Sequence, residues 1–362
     1  MRNTKRENGF TVIEFIIAIV LLAVLAAVVL PALARSRGSG CQRPSCQNNL
    51  KQWGLVLKMY AGEARGERYP PMQLDVAQDD RKNESEDYHV YMATGPRVKA
   101  IYPEYLTDPA IAICPSDDER VEHLKADKDI PLRNGKTLHQ GDWTIGYYMG
   151  SEGVENIDAS YVYFGWGFDL TEDVSSDDQT IREGIAAFKK DFGIEIPRDS
   201  PGAGQLIRAL MQAYRNNQGP KGTMEALKKP DKSTIEKVLE LTDKNISSNG
   251  NPLDPLYKHG NGGGVIIYRL REGVERFFIG EGASFPGSLL DDVITRVGIM
   301  FDRFEDAGPT RDKTQGKFNH IPGGCNVLYL DGHVSFVKYP SDTLPVTPGM
   351  GALLCWFGEQ RK

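Results

Sequence analysis

The sequence predicts an α+β protein: a long N-terminal hydrophobic (transmembrane) helix, then a mainly antiparallel β-sheet body with a helical insertion. Three observations carry this. Phe10–Ala34 is a 25-residue run whose only charge is Glu14. Residues 251–362 hold short β-type segments ending in a hairpin pattern around Asp331-Gly332, a dipeptide favoured in tight β-turns. Between these regions, residues 170–250 change to apolar positions at helical spacing.

Outside the apolar run the chain is hydrophilic. Mean hydropathy is −0.40, and 40% of its 362 residues are hydrophobic and 25% charged, ordinary values for a folded body of one large or two smaller domains. A net charge of −6 and a pI near 5.7 leave no basic surplus for a phosphate backbone, which argues against nucleic acid as the main partner. The five cysteines, Cys41, Cys46, Cys114, Cys325 and Cys355, are too few and too scattered for a disulfide framework. Cys41 and Cys46 are spaced C-x4-C without a second pair, which argues against a zinc-finger arrangement.

As a helix, the first element would reach roughly 37 Å, enough to cross a hydrocarbon layer of about 30 Å. Met1–Asn8 is basic (Arg2, Lys5, Arg6) and Ala32-Leu33-Ala34 has the form of a signal cleavage site. However, secretory h-regions span about 7–15 residues and rarely carry a carboxylate. A plain anchor leaves Glu14 without a purpose, although an isolated carboxylate at bilayer depth costs on the order of 2.5–3.5 kcal/mol on insertion scales. In the first turn of a helix, an anion is favoured by the dipole and by a free amine.

A basic leader ending in Gly9, then Phe10-Thr11-Val12-Ile13-Glu14 and a long apolar helix, resembles the type IV prepilins and type II secretion pseudopilins. The resemblance implies that a prepilin peptidase cuts between Gly9 and Phe10 on the cytoplasmic face and that Phe10 becomes N-methylated. It further implies that Glu14 meets the N-terminal ammonium of a neighbouring subunit during assembly. Pro31 falls where many pilins kink this helix. Basic residues flank both ends of the run (Arg35, Arg37 and Arg43 beyond it), so orientation rests on the processing site: N-terminus cytoplasmic, body periplasmic, or extracellular in a filament.

The remaining elements follow in order. Residues 1–9 form the leader and 10–62 the N-terminal helix, with 10–34 transmembrane and a break at 38–44 from Gly38, Gly40 and Pro44. Leu50, Trp53, Leu57 and Tyr60 fall at i, i+3, i+7 and i+10, a face meant for the body. The body occupies 63–169 and 251–362. In it, "IAIC" (111–114), "TIGYYMG" and "ASYVYFGWGFD" (144–169) read as strands, and 264–280 as a hairpin turning near Glu272-Gly273. Residues 170–250 form the insertion, about three helices, with capping boxes at Thr180/Glu183 and Ser233/Glu236. Residues 297–305 read as a strand. In the last hairpin a two-residue loop pairs Leu330 with His333, Tyr329 with Val334 and Val327 with Phe336, placing Val327, Tyr329, Val334 and Phe336 on one core-facing side.

"FNHIPGGCNVLYLDGHVSF" (318–336) resembles the C-terminal motif of a pseudopilin-like family, in which a histidine, nine residues and Asp-Gly follow a prepilin N-terminus. Here ten residues separate His320 from Asp331. "SCQNNLKQWGLVLKMYA", "YPEYLTDP…CPSD", "SYVYFGW" and "IYRLREGVERFFI" are also similar to that family. The likeness does not extend to the insertion and brings no catalytic role with it. Cys46 and Cys114 both lie in family-like phrases, which points to a disulfide tying the helix to the body.

His320, Asp331 and His333 invite a metal or catalytic reading, but turn chemistry explains them more simply. Asp331 and Gly332 suit the turn, and His320 is placed to hydrogen-bond the Gly323-Gly324 backbone. HExxH, GxSxG, Walker A and EF-hand patterns are absent from the sequence. The resemblance allows calcium at Asp117-Asp118-Glu119 or Asp291-Asp292, as in some major pseudopilins, but acidic runs are usually solvated surface, and the sequence calls for no cofactor. The expected function is a non-enzymatic pilin-like subunit. Its partners are the prepilin peptidase, other pilin or pseudopilin subunits, the inner membrane and an assembly platform. The alternative is a periplasmic enzyme or binding protein that borrows a pilin-like anchor.

Overall fold

The computed structural model describes residues 42–117, 124–150, 152–173, 178–192, 202–217, 222–279, 293–305, 317–320 and 323–359. The predicted membrane span, Gly9, Phe10, Glu14, Cys41, Asp118-Glu119 and Asp291-Asp292 lie outside them. Among the described residues no helix is long and apolar enough to cross a membrane. The chain divides into two compact units, Met1–Ser45 and Cys46–Lys362, and the second holds the α+β body.

Helix α1 spans Gln42–Glu63. Leu50, Trp53 and Leu57 are fully buried and Tyr60 is half-buried, the face that the apolar spacing predicts. Pro44 sits in the first turn, where its missing N–H has no intrahelical partner to lose. The helix therefore already includes Gln42–Pro44, the end of the predicted break, while 38–41 lie outside the described residues.

The central sheet has the order β12–β11–β8–β5. Its strands are β5 (Tyr161–Val162), β8 (Gly298–Asp302), β11 (Gly324–Tyr329) and β12 (Val334–Lys338), all paired antiparallel, while β3 (Ile130–Pro131) and β4 (Thr137–Leu138) form a separate pair. Both faces are buried. Tyr161, Met300, Leu328 and Leu330 join the core that includes Leu50, Trp53 and Leu57 of α1. On the opposite face, Val162, Phe301, Cys325 and Val327 pack with Ile181 and Ile185 of α2 (Gln179–Phe192) and with Leu206, Ile207 and Met211 of α3 (Gly204–Asn216). Two further helices of the 170–250 region are α4 (Thr223–Lys228) and α5 (Thr234–Thr242). Met350, Leu353 and Leu354 of α6 (Pro348–Glu359) complete the second layer. A Cβ at Gly54 would come within 3.3 Å of Leu328 Cδ1, so that glycine lets α1 cross the sheet closely.

The last hairpin differs from expectation by one residue. Leu328 pairs with Val334, Val327 with Ser335 and Asn326 with Phe336. Tyr329 N donates to His333 O at 3.0 Å, which leaves Leu330-Asp331-Gly332 as a three-residue loop, with Gly332 left-handed at φ 92°, a common alternative to the two-residue turn. A one-residue slip exchanges the faces of one strand relative to the other. Val327 and Tyr329 accordingly pack in the second core and Val334 in the first.

Other readings are corrected. Pro109–Ala112 is a 3-10 turn capped by Asp108, so "IAIC" is not a strand. "TIGYYMG" is no strand: Ile145-Gly146 and Gly150 are in turns and Met149 is a lone bridge. The described residues 264–279 form no hairpin: β7 (Ile266–Ile267) pairs with β6 (Ile246–Ser247), Arg269 bridges to Trp166 and Arg271 to Arg68, and Val274–Phe277 is a 3-10 turn. The strongest hairpin beside the central sheet, β1 (Met72–Gln78) with β2 (Tyr88–Pro96), carries no sequence-level expectation. Leu74 and Val76 of β1 pack against Val238 of α5. The buried Asp158 accepts from Thr94 N at 2.7 Å and pairs with Arg303 at 3.3 Å, which ties β2 to the central sheet.

Candidate functional site

The notable concentration of chemistry lies where α1 meets the sheet. Cys46 is on the body-facing side of α1, one turn before Leu50, and is fully buried. Residues 111–114 are lashed to the same helix: Trp53 Nε1 donates to Ile111 O at 3.1 Å and Asn49 Nδ2 to Ile113 O at 2.8 Å. These bonds bring the fully buried Cys114 beside Cys46. His320 follows β10 (Lys317–Phe318), whose Phe318 stacks on Phe304 of β9 (Phe304–Glu305) at 5.7 Å between ring centres. Asp302 ends β8, and Asn326 lies on the neighbouring β11.

The two thiol sulphurs and a His320 ring nitrogen all lie within 4.8 Å of one another. His320 Nε2 is 3.7 Å from Cys114 Sγ, 3.0 Å from Asp302 Oδ2 and 3.0 Å from Asn326 Nδ2. Asp302 Oδ2 accepts from Asn326 N at 2.7 Å and from Asn326 Nδ2 at 2.8 Å. Gln47 Nε2 donates to Asn326 Oδ1 at 3.1 Å, and Cys46 Sγ is 3.8 Å from Ser116 Oγ. Among the described residues, Asp302 Oδ1 has no hydrogen-bond partner. Both cysteines are free thiols.

The electrostatics separate the two sulphurs. A hydrogen bond with Cys114, aided by His320 and opposed by burial, draws the Cys46 thiol down to about 5. The same hydrogen bond, together with burial, pushes the Cys114 thiol far up. Burial works against a charged His320, but the Asp302 carboxylate and Cys46 outweigh it and raise the imidazole to about 9. Thiolate sulphur, imidazole nitrogen and carboxylate oxygen are together the donor set of a zinc-type site.

Cys46, Cys114 and His320 therefore converge; the sequence reading had paired the two cysteines in a disulfide and set His320 apart as a lock on its own loop. Among the described residues, His320 Nε2 meets Cys114, Asp302 and Asn326 rather than the Gly323-Gly324 backbone. Asp331 and Gly332 belong to the far end of the hairpin. There Asp331 Oδ1 accepts from His333 N at 2.9 Å and pairs with His333 Nδ1 at 2.7 Å, and the His333 ring stacks on Tyr329 at 4.4 Å. Asp117 is buried and accepts from Ser160 Oγ at 2.9 Å. Asp302 escaped the sequence reading. The available signal was a lone carboxylate within "GIMFDRF", since an acid in a strand covered on both faces needs a partner.

Residues 4–30 match the family model described as the prokaryotic N-terminal methylation motif. That match supports a pilin-type precursor of the kind a prepilin peptidase processes. No curated protein and no solved structure matches the chain.

Proposed function

We propose that the chain is a structural pilin-like or pseudopilin subunit, cut between Gly9 and Phe10 and assembled through its N-terminal helix into a type II secretion- or type IV pilus-like filament. The observation that carries this reading is the methylation motif over residues 4–30; in this reading Gly9 and Phe10 flank the cut and Glu14 serves assembly. Phe10 would supply a new N-terminal amine, and Glu14 the carboxylate that a neighbouring subunit's amine neutralises. A buried pair of this kind fixes register, because a misplaced subunit leaves a charge unpaired. Before assembly the helix would hold the subunit in the inner membrane, with the N-terminus cytoplasmic.

The body is read as non-enzymatic. Its Cys/His/Asp cluster is closed to solvent, with Cys46 and Cys114 fully buried and His320 3% exposed, which suits a structural centre better than a substrate site. The C-terminal segment around His320 and Asp331-Gly332 is in keeping with a pseudopilin-like body. The reading is tested by Glu14→Ala. Processing, followed by mass, should be unchanged, while the variant should vanish from sheared filament or secretion-complex fractions. Normal assembly or function of the variant would favour an anchored periplasmic enzyme or binding protein.

A further inference from the structure

We propose that Cys46, Cys114 and His320 bind one zinc-type divalent cation, with the Asp302 carboxylate as fourth ligand, and that this cation clamps helix α1 to the central sheet. The argument starts from convergence. Four donors arrive from four separate segments: α1, the stretch after the 3-10 turn, the stretch after β10, and the end of β8. Both sulphurs and a His320 nitrogen lie within 4.8 Å of one another. Tetrahedral zinc with Zn–S near 2.3 Å and Zn–N near 2.0–2.1 Å separates sulphur from nitrogen by roughly 3.6 Å. The Cys114 Sγ to His320 Nε2 distance is 3.7 Å, and the carboxylate stands 3.0 Å from the same nitrogen.

A second observation is independent of the thiols. Asp302 is 1% exposed, and its Oδ1 has no hydrogen-bond partner among the described residues. A buried carboxylate oxygen left in that state is costly, and a cation would relieve it. The other oxygen is held by Asn326 N and Nδ2, and Asn326 is held in turn by Gln47. This is the supporting shell that orients a ligating carboxylate. Two thiolates also select soft or borderline metals over calcium or magnesium.

The position gives the cation a role. Cys46 lies near the N-terminal end of α1, and the other three donors lie on the body. A metal here would resist peeling of the helix from the sheet, the direction in which a subunit is pulled if it is extracted through its N-terminal helix. Because the ligands come together only in the folded chain, metal binding would also be coupled to folding.

The test uses the full-length mature protein in detergent, purified under reducing conditions and equilibrated with zinc. Plasma mass spectrometry of the desalted protein should find one zinc per chain, and Cys114→Ser and His320→Gln should each lose it. Zinc should raise the unfolding temperature of the wild type and leave that of Cys46→Ser unchanged. If a variant fails to fold, cobalt(II) substitution of the wild type decides, since two thiolate ligands give intense sulphur-to-cobalt charge-transfer absorption. Absence of both stoichiometric zinc and thiolate bands would overturn the proposal. So would a Cys46–Cys114 disulfide in unreduced peptides of protein taken from its native compartment.

Discussion

Asp178 shows how much a single side chain can hold. Its Oδ1 accepts from Ile181 N at 3.1 Å, capping α2, and its Oδ2 binds Arg208 Nη2 of α3 at 2.8 Å. Burial raises the carboxyl, but these bonds outweigh it and hold the group below its ordinary value of 3.8. A carboxylate lowered in the folded state contributes stability that is present above the unfolded value and is lost as pH falls through the folded one. Asp178→Ala should therefore cost about 1–3 kcal/mol at neutral pH, a cap plus a charge-assisted bond. The difference from wild type should shrink in acid below 3.8. Urea unfolding of both proteins at the two pH values checks this, and a gap that persists in acid would contradict it. The expected cap at this helix was Thr180 with Glu183. "DDQTIREG" offers caps in two overlapping frames, and local sequence does not choose between them. The same happened at α5, where Asp231 rather than Ser233 accepts from Thr234 N.

Among elements, α1 was the most legible, because four apolar residues at helical spacing leave few alternatives. Its anchor is Trp53, fully buried, with its indole bonded to Ile111 O. Trp53→Ala should cost about 3–5 kcal/mol, and Trp53→Phe about 1–3 kcal/mol, through the carbonyl left unpaired. Denaturant midpoints read both, and an alanine cost below about 1 kcal/mol would mean that α1 is not seated as described. The hairpin was legible in type but not in register. Asp-Gly suits both a two-residue loop and a three-residue loop ending in a left-handed glycine. The tie is normally broken by one polar face, but this sheet is apolar on both. β1 and β2 passed unread because Gln73, Asp75 and Thr94 are buried polar residues that mask the apolar alternation. Asp75 is paired with Arg97, a partner that no local pattern reveals.

At the scale of the whole molecule, the α+β class was visible in the alternation of patterns, and the layering was not. The helices of 170–250 carry apolar faces that the sequence shows plainly, but only the fold shows that α2 and α3 cover the second face of the central sheet. The Cys/His/Asp cluster was half legible. Its two cysteines were already suspected partners, whereas His320 lies 206 residues beyond Cys114, and no spacing rule links them. The filament reading joins this body to an N-terminal segment whose chemistry is explicit in its sequence. The most direct test is the intact mass of the mature protein taken from the cells that make it. The account predicts a chain beginning at Phe10 that carries a single added methyl group; cleavage after Ala34, or an unprocessed N-terminus, would contradict it.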